Sequence, residues 1–70
     1  ERVKKGQILI TEELVDGQFR FIYGPVVLID PDRGEVAIRM DEEMRSFPVD
    51  RLWTIPAFIA YKTTGHLVRP

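Results

Sequence analysis

Apolar residues recur in short runs, separated by turn-forming residues at intervals too brief for most helices. Gly6 opens the run Gln7-Ile8-Leu9-Ile10-Thr11, whose β-branched content predicts a first strand. Asp16-Gly17 marks a turn, and the next run alternates, with Phe19, Phe21 and Tyr23 on one face and Arg20 and Ile22 on the other. Gly24-Pro25 is expected to break the chain. Val26-Val27-Leu28-Ile29 is apolar at every position, which predicts a central strand with both faces covered.

Asp30-Pro31-Asp32-Arg33-Gly34 is the clearest turn in the chain: proline presets φ, the aspartates bond back to the backbone, and glycine supplies a positive φ. It leads into Glu35-Val36-Ala37-Ile38-Arg39-Met40, with Val36, Ile38 and Met40 facing inward. After the acidic turn Asp41-Glu42-Glu43, Arg45 to Val49 returns as a short strand that Pro48 confines to an edge or an end. Val49 to Trp53 suits a single 3₁₀ turn. Thr54 to Lys62 is apolar again and reads as a strand, followed by a turn at Thr63-Thr64-Gly65 and a short segment from His66 to Arg69.

Five or six short antiparallel strands in so few residues imply an all-β domain whose sheet curls on itself. Closing or nearly closing the sheet hides the edges that a flat one exposes. The expected architecture is a small SH3-like barrel with one 3₁₀ turn, covering residues 1–70 as a single domain. The apolar segment from Ile55 to Tyr61 is either the last barrel strand or a surplus strand covered by a partner. The chain opens at Glu1 without a methionine and reads as a candidate piece of a longer protein.

Composition narrows the functional classes. A chain of 70 residues has a thin core, and small domains commonly need a disulfide, a metal or a partner subunit. There is no cysteine and only one histidine, so a disulfide and the common zinc sites are excluded, and association is the remaining support. The net charge of −1 is unevenly spread: both ends are basic, while the body carries five arginines against ten acidic residues. No run approaches the ~18 apolar residues that span a membrane, and the expected setting is cytoplasmic.

The order Gly-Pro-Val-Val-Leu-Ile, turn, Gly-Glu-Val-Ala-Ile-Arg, turn, Phe-Pro-Val-Asp-Arg-Leu-Trp, from Gly24 to Trp53, resembles the C-terminal SH3-like domain of retroelement integrases. There a Gly-Pro pair opens a strand and a Val-Asp-Arg-Leu-like segment closes the barrel, as Gly24-Pro25 and Val49 to Leu52 would here. The resemblance covers about half the chain and implies DNA binding. On that reading Arg2, Lys4, Lys5, Lys62 and Arg69 would contact phosphates, with Trp53 against a sugar or base. The acidic body departs from the basic character of those domains.

Candidate chemistry is sparse. Asp30, Asp32 and Glu35 lack the later ligands of a calcium loop and form a turn. Asp41, Glu42 and Glu43 sit in a solvated turn, and His66 has no serine, cysteine or second histidine beside it. No phosphate-cradling glycine motif is present, so neither an enzyme nor a cofactor is expected. Phe19, Phe21, Tyr23 and Trp53 are read first as core filling, with Tyr23 and Trp53 the most exposed of the four. The leading expectation is a non-catalytic interaction or assembly module, binding a protein partner or a second copy through Tyr23, Trp53, Phe58 and Tyr61. Nucleic-acid binding through the basic ends is the alternative.

Overall fold

The computed structural model describes residues 3–64. Its longest element is the strand β2 (Gln18–Asp30), which pairs along its first half with β1 (Ile8–Val15) and along its second half with β3 (Glu35–Met40). β4 (Glu43–Pro48) adds to β3, a 3₁₀ turn (Val49–Arg51) follows, and the two-residue β5 (Trp53–Thr54) pairs with β1. The result is one antiparallel sheet in the order β4-β3-β2-β1-β5. Its sequence of hairpin, short strand, 3₁₀ turn and last strand is the one expected of a small SH3-like barrel. The sheet remains open, since β4 and β5 are its two edges and do not pair with each other.

β2 does not stop at Gly24-Pro25, as the sequence suggested; it bends there and continues. Pro25 has no N–H to give, and the ladder is carried past it by its neighbours: Val26 N–H donates to the Gln7 carbonyl (2.9 Å) and Gly6 N–H to the Val26 carbonyl (2.8 Å). A bulge between Val26 and Leu28 bends the strand further. At Gly24 the bend brings β2 onto β3 so closely that a Cβ would overlap the Arg39 carbonyl. Only glycine fits.

The turns follow their residue chemistry. Asp16 and Gly17 both have positive φ (52° and 79°), the arrangement of a two-residue type I′ hairpin between Val15 and Gln18. Gly34 takes φ 66° at the end of the Asp30-to-Glu35 loop, where the Asp30 Oδ1 accepts a hydrogen bond from Arg33 N–H (3.3 Å). That loop is a hairpin turn.

The concave side of the sheet holds the core: Leu9, Ile22, Val26, Val36, Ile38, Phe47 and Leu52, with Met40 and Ile29 packed against it. The inward positions Val36, Ile38 and Met40 agree with the alternation. Val26 is buried, but Leu28 is exposed on the convex side, so the all-apolar run is central without being covered on both faces. Across the open side of the barrel, the Arg45 guanidinium on β4 donates two hydrogen bonds to the Glu13 carboxylate on β1 (3.0 and 2.9 Å). Phe47 lies beneath this pair, with the Arg45 and Arg51 guanidinium carbons 5.0 and 5.6 Å from its ring centre.

The main correction concerns the C-terminal apolar segment. Ile55 to Tyr61 is not a strand; residues Ile55–Thr64 form an α-helix, α1, which takes in the expected turn residues Thr63 and Thr64. Thr54 caps its start, its Oγ1 accepting from Ala57 N–H (3.3 Å), and Pro56 falls in the first turn, where a missing N–H leaves no helical bond unmade. Lys62 lies in the last turn, where the helix dipole favours a cation.

Two predictions follow from this framework. Gly24→Ala should destabilise the domain at least as much as Leu52→Ala, about 2–5 kcal/mol for a core truncation; an unchanged urea midpoint would mean that β2 and β3 do not approach as described. The second concerns acid. The Arg45 guanidinium holds the Glu13 carboxyl below the usual carboxylate range. A group depressed on folding stabilises above its unfolded pKa, and that contribution is lost as pH falls through the folded value. Glu13→Gln should therefore lower the urea midpoint at pH 7, and the gap to the parent chain should close as the pH falls through the depressed folded value. A gap that stays constant with pH would remove the ion pair from the account.

Candidate functional site

The register between β1 and β2 decides which side chains share a face. Ile8, Ile10, Glu12 and Leu14 stand opposite Pro25, Tyr23, Phe21 and Phe19, all on the convex side of the sheet. Seven of these eight positions are apolar, and the eighth, Glu12, is neutralised by Lys62 (Nζ to Oε2 2.7 Å). The other face near the hairpin tip carries Glu13, Arg20 and Gln18, with Val15 opposite Gln18. The tip of the hairpin is thus inverted relative to an ordinary half-buried sheet, with its polar residues on the concave side and its rings toward solvent.

This arrangement overturns the core-filling reading of the aromatics. Phe19, Phe21 and Tyr23 are 68%, 59% and 61% exposed, and Leu14, beside Phe19, is 61% exposed. The core is filled instead by Leu9, Ile22, Val26, Ile38 and Leu52, which leaves no room on the concave side for three more rings. Because the hairpin alternates strictly, placing Ile22 inside forces Phe21 and Tyr23 out. Trp53 alone of the four is partly buried.

Helix α1 covers one part of the convex face. Phe58, its buried residue, meets Phe21 edge-on (5.8 Å) and Trp53 edge-on (5.7 Å), while Tyr61 stacks on Trp53 (5.6 Å, 4° between planes). Lys62 reaches over Phe58 and Tyr61 (5.8 and 5.7 Å) to Glu12, and this pairing holds the Lys62 ammonium pKa above its ordinary value. The Trp53 indole N–H is buried in the cluster without a hydrogen bond. Three of the four expected partner-binding residues, Trp53, Phe58 and Tyr61, therefore bind one another. Tyr23 lies on the same face but makes no ring contact with α1.

What remains uncovered is a strip along β2: Phe19, the outer side of Phe21, and Tyr23, with Leu14 alongside. Beyond Tyr23 it runs into an open groove of about 520 Å³ lined by Ile8, Phe21, Tyr23, Pro25, Arg39 and Asp41. Phe19 and Phe21 were legible as a β2 face but not as a site. Arg20 stands on the face away from the rings, which by itself favours burying them, and only Ile22 on that same face points the other way.

The expected phosphate contacts are described only in part. Lys62 is paired with Glu12, Lys4 and Lys5 lie exposed before β1, and Arg2 and Arg69 fall outside the described residues, as does His66. Among the described residues no group of three or more acidic or histidine side chains could hold a metal, and no helix is long and apolar enough to cross a membrane. No family model, curated protein or solved structure matches the chain.

Trp53 is the single tryptophan and reports on the packing of α1. Phe58→Ala should shift its fluorescence to the red while the far-ultraviolet strand signal stays in place, because Phe58 lies outside the barrel core. Unchanged emission would show that α1 does not rest on Trp53.

Proposed function

We propose that this chain is a non-catalytic protein-interaction or assembly module in a cytoplasmic setting, and that it docks through the uncovered strip of β2. The observation that carries the reading is the inverted polarity of the β1–β2 hairpin. Three large rings face water while charged residues occupy the opposite side, an arrangement that is unfavourable for a chain acting alone. Aromatic side chains are enriched where protein interfaces concentrate their binding energy.

The nucleic-acid reading, which rests on the resemblance to integrase domains, has less support. An aromatic strip can stack bases, but affinity for a polyanion needs several free cations around it; Lys62 beside this strip is held by Glu12, and Arg39 in the adjoining groove is accompanied by Asp41.

Selection from a random peptide display library on the immobilised chain tests the reading. Enrichment of apolar or aromatic peptides that no longer bind the Phe19→Ser/Tyr23→Ser double variant is the expected result. Failure to enrich any peptide, together with salt-sensitive oligonucleotide binding abolished by charge reversal at Lys4 and Lys5, would overturn it in favour of nucleic acid.

A further inference from the structure

We propose that the occupant of the β2 strip is a second copy of this chain, docked strip to strip about a two-fold axis that passes between the Phe21 rings of the two copies. This rests on the interaction reading above and names its partner. Three observations point to self-pairing. The first is geometric. Phe19, Phe21 and Tyr23 occupy alternate positions of one strand face, so Phe21 stands midway between two rings roughly 13 Å apart. A two-fold axis lying across the strand, between the two central rings, lays Phe19 of one copy on Tyr23 of the other, and Tyr23 on Phe19. A surface patterned symmetrically about its own centre meets the condition for an isologous interface, in which residue i meets j and j meets i.

The second observation is charge. The one acidic residue on the strip is neutralised by Lys62, and the groove at the Tyr23 end is bordered by one cation and one anion, Arg39 and Asp41. The chain as a whole carries −1. Such a surface offers no long-range attraction to a strongly basic or strongly acidic partner and no repulsion to its own copy.

The third is area. With about 60% of each ring open and ~150–250 Å² available from a fully buried aromatic, the three rings contribute ~300–450 Å² per copy. A stable interface takes ~800 Å² from each partner, so the strip supplies roughly half and the pair is weak and concentration-dependent.

The chain contains no cysteine, which permits a clean test. Light scattering should show the mass rising from the 8.1 kDa monomer toward the dimer between about 10 µM and about 1 mM. The Phe19→Ser/Tyr23→Ser variant should stay monomeric with an unchanged circular dichroism spectrum, since both rings are exposed and neither belongs to the core cluster. Under mild oxidation Phe21→Cys should cross-link to itself at least about tenfold faster than Arg33→Cys in the exposed turn, because pairing raises the local thiol concentration. Phe19→Cys should cross-link preferentially to Tyr23→Cys rather than to itself.

A monomer throughout, or a dimer that the double variant leaves intact, would overturn the proposal, as would Phe21→Cys cross-linking no faster than Arg33→Cys. A monomer that still selects strip-dependent peptides rejects only the second copy; a monomer that selects none rejects the interaction reading as well.

Discussion

The close passage of β2 over β3 at Gly24 is the constraint on which the other features depend. One strand has to serve two half-sheets, and it can do so only by turning a corner where no side chain intervenes. The glycine permits the approach, Pro25 and the bulge at Val27 steer the bend, and the curl that results brings β1 and β4 to opposite sides of one core. Without that corner the sheet would be flat, Leu9 and Phe47 would not share a cluster, and Arg45 could not reach Glu13.

The same corner separates two environments along one strand. Before it, the β1–β2 hairpin extends toward a tip whose concave side holds Glu13 and Arg20, and apolar residues there turn to the convex side. After it, the concave positions of β2 and β3 are apolar. The Arg45–Glu13 pair sits at the boundary, bridging the open side of the barrel above the Phe47 ring. Its two partners are each about a third exposed, so water screens the attraction, and its role is more to fix the relative position of β1 and β4 than to supply much stability.

Much of this fold was legible in the residues themselves. Asp16-Gly17, Asp30 to Gly34 and Asp41-Glu42 announced their turns because each carries its own backbone preference, and the 3₁₀ turn after Pro48 followed from its brevity. Two features were not. Ile55 to Tyr61 is apolar at nearly every position, so periodicity could not distinguish strand from helix; the deciding marks were the Thr54 cap and Pro56, which suit a helical first turn, and the spacing of Phe58 and Tyr61. The outward rings were misread for a different reason. Burial is a property of the whole sheet, and alternation alone says that Phe21 and Ile22 face opposite ways without saying which way is in.

The shortness of β5 has a consequence for how this domain can assemble. An edge strand invites another strand to add to it, and each addition presents a fresh edge, so growth has no natural end. Here one terminal strand is two residues long and lies beside α1, the other ends at Pro48 and is spanned by the reach of Arg45 to β1, and the outer sides of the β1–β2 hairpin, past Ile10 and before Gly24, carry no strand partner. The proposed pairing of two strips uses a face instead of an edge. Face-to-face contact about a two-fold axis uses up both surfaces when two copies meet, so the unit it builds is finite and does not extend into a fibre.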